Sequence, residues 1–137
     1  MASSYIDEAL QKKLLARSSL TAYIGKRLYH IKAPAGAPLP HIIFFQVAPD
    51  NTPVIFGKPN SGEPLFQFSC ISDDAETPCE AFLIAWEVIN ELRHYQGTYD
   101  GIEVRLITTT GPEMMELDAQ RKLILCAVTA AVEYVEP

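Results

Sequence analysis

"KLILCAVTAAVEYV", residues 122–135, admits two readings, and the fold class turns on the choice. Its three alanines permit a helix. Against that, Ile124, Cys126, Val128, Ala130, Val132 and Tyr134 recur at period two, which puts them on one face of an extended chain. Val, Ile, Thr and Cys lean towards strand. The stretch is therefore read as a strand with one buried face.

Working backwards, "GPEMMELDAQR" (111–121) is polar, and residues 111–122 are expected to form a loop. "IEVRLITTT" (102–110) reads as a strand, entered from a turn bracketed by Gly97 and Gly101. Before it, "TPCEAFLIAWEVINELRHY" (77–95) carries the strongest helical pattern. Thr77 is placed to cap it, Pro78 to occupy its first position and Glu80 to close a capping box. Phe82, Ala85, Trp86, Ile89 and Leu92 make an apolar stripe, with Trp86 expected to face a sheet. "LFQFSCIS" (65–72) alternates, with Phe66, Phe68 and Cys70 on one side and Gln67 and Ser69 on the other.

The front of the chain opens on a helix: Ser4 and Asp7 resemble a capping box, and Ile6, Leu10 and Leu14 follow at helical spacing to about Arg17. Ser19 can cap a further short turn, "LTAYI", that Gly25 stops. "RLYHIKAPAGAPLPHIIFF" (27–45) then sets a short strand-like run against a stronger one, with Pro34, Gly36, Pro38 and Pro40 between them. Those prolines rule out helix and regular ladder pairing. Residues 49–64 follow as a long loop broken only by the apolar triplet Val54, Ile55 and Phe56. Loops of that length in small domains are usually functional or disordered, and this one suits an arm that docks on a neighbouring subunit as well as a β-excursion folded back on the core. The order α-β-β-β-α-β-β implies an α+β fold, with helices on one face of a four- to five-stranded, mostly antiparallel sheet.

The chain has 137 residues, which fits a single domain spanning 1–137. Hydrophobic residues make up 48%, with no apolar run long enough for a membrane span, so a soluble chain is expected. The charged start "MASSYIDEALQKK" lacks a signal-peptide pattern, and export is not expected. Cys70, Cys79 and Cys126, odd in number and far apart, suit reduced thiols. The net charge is −6, and the basic residues look scattered, which disfavours direct grip on DNA. An acidic surface that lets DNA slide past is compatible with it.

Catalytic motifs are lacking: there is no phosphate loop, no serine nucleophile elbow and no ligand-spaced His or Cys pair. His30, His41 and His94 are isolated, so neither metal nor cofactor is expected. Cys79 near a helix N-terminus is the one thiol with a favourable dipole, but no base stands near it in sequence. Asp73, Asp74, Glu76 and Glu80 are better read as helix-terminal charge than as an acid–base cluster.

The run "YIGKRLYHIKAPAGAPLPHIIF" is similar to the front half of the tail-completion, or tail-terminator, proteins of long-tailed bacteriophages. Gly25, Arg27, Tyr29, Pro34, Gly36, Pro38 and Pro40 carry that resemblance. "LFQFSCIS" with the alanine-rich helix resembles the family's middle, and the last two strands its end. His41, Ile71 and "EMMELDAQRK" depart from the pattern. The resemblance implies no enzyme but a virion protein at the head-proximal end of the tail, assembled in the host cytoplasm. Its members form a ring, commonly of six, that caps the tail tube, ends its polymerisation and joins it to the head connector. Implied partners are further copies of the chain, the tube protein and the connector, with DNA passing through unbound and no membrane involved. Val54, Ile55, Phe56, Arg27 and Tyr29 are the expected subunit or tube contacts. Asp50, Glu63, Glu113 and Glu116, placed in the two long loops, are the expected lumen-facing acids, since a lysine-lined hole would hold DNA. Another head–tail neck ring protein, and more remotely a small cysteine enzyme, are the alternative readings.

Overall fold

The computed structural model describes residues 6–48, 61–62, 65–73, 80–99, 102–118 and 123–135. In chain order they form α1 (Ile6–Leu15), α2 (Ser18–Ile24), β1 (Leu28–His30), β2 (His41–Ala48), β3 (Ser61–Gly62) and β4 (Leu65–Asp73). Then follow α3 (Glu80–Leu92), β5 (Gly97–Tyr99), β6 (Ile102–Asp118) and β7 (Leu123–Val135). All seven strands join one sheet in the order β1-β2-β4-β7-β6-β5, with β3 paired to the end of β7. The mixed α+β class holds. The sheet is larger than the four to five strands expected, because the two- and three-residue strands β3 and β5 are too short to leave a periodic trace.

The stretch 122–135 resolves as a strand, and its alternation is the reason: Ile124, Cys126, Val128, Ala130 and Val132 are all buried on one face. In register with them stand Phe66, Phe68 and Cys70 of β4. Phe44 stacks on Phe68 with ring centroids 5.5 Å apart and carries this face into β2. Leu10 and Leu14 of α1, Leu20 and Ile24 of α2, and Ile84, Val88 and Leu92 of α3 close the same core. The helices thus share one face of the sheet.

Four expectations need correction. Residues 111–118 are not a loop: β6 runs on to Asp118, paired with β7 as far as Asp118 opposite Leu123. Gly111 and Pro112, which suggested a break, fall where the register shifts between Thr110 and Glu113. A bulge is where a strand tolerates both residues. Glu113 and Glu116 are therefore strand residues. The loop 49–64 is interrupted by β3 at Ser61 and Gly62; its remaining residues lie outside those described. The buried stripe of α3 is Ala81, Ile84, Ala85, Val88, Ile89 and Leu92. Trp86 and Phe82 pack edge to face against each other, 6.2 Å apart, on the flank of the core. Finally, Arg17, not Ser19, takes the N-cap position of α2, without a side-chain cap bond.

Other local readings hold. Gly25 ends α2 at φ 60. The proline spacer returns the chain so that β2 lies beside β1 in parallel, Leu28 opposite Ile42. Thr77, Pro78 and Cys79 lie outside the described residues, but the Ala81 N–H at the start of α3 donates to Ser72 Oγ of β4 at 3.0 Å. That bond ties one of the helix's unpaired N-terminal donors to the sheet.

Candidate assembly surface

Among the described residues, no helix lies over the second face of the sheet. An antiparallel sheet that turns such a face to water normally lines it with polar residues. Here Ile43 and Phe45 of β2, Leu65 of β4, and Leu123, Leu125 and Ala127 of β7 stand on it, half-buried. Tyr29, an expected contact residue, sits on this face opposite Ile43, its ring edge-on to His41 at 5.7 Å. His41, Ser69 and Ile71 on the same face are buried, and His41 Nδ1 lies 3.1 Å from the Pro38 carbonyl.

Arg27 does something other than reach outward. Its Nε donates to the Pro40 carbonyl at 2.8 Å and its Nη2 to the Tyr23 carbonyl at 3.1 Å. The first bond pins the end of the proline spacer, and the second satisfies a carbonyl in the last turn of α2. Both fix the angle between helix and spacer. Val54, Ile55, Phe56, Asp50 and Glu63 lie outside the described residues. Glu113 is exposed on β6, and Glu116 follows it in the same strand.

The two edges of the sheet differ. β5 covers β6 only from Ile102 to Val104. Beyond that no described strand flanks β6, although the His94 N–H donates to the Ile107 carbonyl at 2.9 Å. The length that no described strand flanks, Arg105–Asp118, extends about 45 Å at strand rise. Met114 and Met115 within it are each 49% exposed; as neighbours in a strand they point to opposite faces. The β1 edge is closed instead: the Leu28 carbonyl accepts from Gln11 Nε2 at 3.0 Å, and the Leu28 N–H donates to the Lys26 carbonyl at 2.8 Å. Beside β1, a groove of about 560 Å³ is lined by Ile6, Asp7, His30, Ile31, Phe45, Gln46, Phe66 and Tyr134. His30 stacks on Phe44 at 4.8 Å and brings Nδ1 to 3.4 Å from Asp7.

Chemistry-bearing groups elsewhere are spent on structure. Arg17 reaches Glu87 at 2.8 Å and Glu91 at 3.2 Å, Lys13 reaches Glu91 at 2.8 Å, and the Ser19 hydroxyl donates to Glu87 at 2.6 Å. The Ser19 bond, followed by Arg17, holds the Glu87 carboxyl below its usual range. Cys70 and Cys126 form no disulfide and lie buried opposite one another across β4 and β7. Burial, with a smaller push from Cys126, drives the Cys70 thiol well up. Among the described residues no group of three His, Cys, Asp or Glu side chains is placed to hold a metal ion, and no helix is long and apolar enough to cross a membrane.

The apolar character of the second face was missed in the sequence because each strand was credited with one buried side. The sign was present: Leu123, Leu125, Ala127 and Ala131 make the other side of residues 122–135 apolar as well.

No protein-family model matches the chain, and no curated protein matches it in sequence. Solved structures do match. A chain from the virion of a native gene transfer agent particle superposes with a TM-score of 0.66 at 19% identity, covering 93% of this chain and 94% of that one. A second solved chain superposes with a TM-score of 0.60 at 13% identity over 96% of each. At such identities the likeness is one of fold, and it extends over nearly the whole length of all three chains.

Proposed function

We propose that the chain is a structural virion protein that forms a ring, of six copies, on the head-proximal end of a phage tail tube. The ring ends tube polymerisation and joins the tail to the head connector. The observation that carries this reading is the near-complete fold match to a chain of a virion particle, 93% of one on 94% of the other. The apolar second face, over which no described helix lies, and the length of β6 that no described strand flanks support it, because surfaces of that kind mark contacts between proteins. A ring also suits a rigid subunit, since contacts held at a fixed angle lose little entropy on closing. Arg27, bonded to both the proline spacer and α2, supplies that rigidity.

The test is electron microscopy of particles assembled without the chain. Tubes of uncontrolled length, unattached to heads and restored to normal by supplying the chain, are the expected result. Tails of normal length that join heads would overturn the reading.

A further inference from the structure

One cross-strand row of the sheet holds three sulfur side chains. Met114 of β6 stands opposite Cys126 of β7, and Cys126 opposite Cys70 of β4. Directly opposed residues share a face, so all three leave the sheet on the helix side, where Cys70 and Cys126 are buried. Positions 70, 114 and 126 have no ligand spacing in sequence; the strand order β4-β7-β6 brings them together.

The backbone bonds set how far apart they stand. The Ile42 N–H donates to the Arg27 carbonyl, and the Phe44 carbonyl accepts from the Ile31 N–H, so Ile42 and Phe44 turn their backbone groups to β1. Counted across the antiparallel pairs, Ile42 and Cys70 are then a non-hydrogen-bonded pair and Cys70 and Cys126 a hydrogen-bonded one. Cys126 and Met114 are again non-hydrogen-bonded. The same count turns the Ile107 carbonyl away from β7, where the His94 N–H reaches it.

The Cβ atoms of a hydrogen-bonded pair lie about 5.5 Å apart. A disulfide needs about 3.5–4.5 Å, so this pair is too wide for one. It leaves room instead for an ion between the two sulfurs, with metal–sulfur bonds of about 2.3 Å each. Met114, in the closer kind of pair, brings a thioether to the same place. It is 49% exposed and lies on the solvent side of the two buried thiols.

We infer that Cys70, Cys126 and Met114 form a binding site for a single copper(I) ion. Two thiolates and a thioether are soft donors, the kind that selects copper(I). Three donors are one too few for a structural zinc site with its four nitrogen or sulfur ligands. On binding, two Cu–S bonds form as two S–H bonds break, the protons pass to the buffer, and copper keeps its oxidation state. Met114 adds a neutral donor, so the bound site carries one net negative charge. The N-terminus of α3 offsets that charge. Its Ala81 N–H is bonded to Ser72, which shares a face with Cys70 two residues along β4. The inference does not rest on the ring reading.

The test is an anaerobic titration of the reduced full chain with copper(I) alone, against a chromophoric copper(I) chelator as competitor. One ion per chain is expected, with a sulfur-only shell in X-ray absorption. Cys70→Ser and Cys126→Ser should each abolish binding. Met114→Leu should weaken it by at least about tenfold, the least that loss of even an outer-shell partner costs. Met115→Leu, on the opposite face, should leave it unchanged. Both methionines are exposed, so these two variants are expected to fold, and circular dichroism checks it. If a cysteine variant unfolds, the methionine pair decides. No copper held against the chelator, nitrogen or oxygen in the shell, or equal affinities of Met114→Leu and Met115→Leu would overturn the site. So would binding that survives Cys70→Ser and is lost in Cys79→Ser.

Discussion

Ile31 and Cys70 show opposite ways in which one residue departs from its ordinary state. Ile31 at φ 76 bears a left-handed backbone that costs an L residue about 1–2 kcal/mol, less for Asn. Ile31→Asn should therefore stabilise the monomer by about 1 kcal/mol, read from urea unfolding at a dilution where the chain does not associate. A loss of stability there would mean that the Ile31 side chain supports its own fold. Cys70, completely buried opposite Cys126, has its thiol raised by desolvation. Since the thiolate is the reactive form, Cys70 should resist alkylation at mildly alkaline pH and react once urea unfolds the chain. Labelling of Cys70 in the native protein at the rate of the unfolded one would contradict its burial.

Among the elements, α3 carries the most testable energetics. Ile84 is fully buried while Trp86 is only half-buried, so Ile84→Ala should cost about 2–5 kcal/mol and Trp86→Ala less. A larger loss at Trp86 in denaturant titrations would return it to the centre of the core. The outer side of α3 is clamped to α1 and α2 through Glu87 and Glu91. The Glu87 carboxyl is held down in the folded chain, so its contribution is present above the ordinary carboxylate range and is lost as pH falls through the lowered value. Glu87→Gln should weaken the protein at neutral pH, with the difference from the unaltered chain vanishing in acid; a difference independent of pH would refute the clamp. How much was legible follows from periodicity. β4, β7 and α1 stood out in sequence because their buried residues repeat at period two or near four. The far half of β6 did not, because the Gly111–Pro112 bulge and the exposed Met114 and Met115 erase alternation where one face loses its cover. α3 was recognised but turned by one position, since its widest side chains, Phe82 and Trp86, suggested a centre that Ala81, Ala85 and Val88 occupy.

At the scale of the whole molecule, one sheet carries helices on one face and a largely apolar second face over which no described helix lies. The expected lumen acid Glu113 and the expected contacts Arg27 and Tyr29 prove to stand near the edges of that sheet, but their partners were not legible. Which residues share an edge depends on strand order, and the order β1-β2-β4-β7-β6 is not written in local spacing. The strand order sets Lys26 and Lys32 on either side of β1, and Arg105 and Glu113 together on β6 at the far side of the sheet.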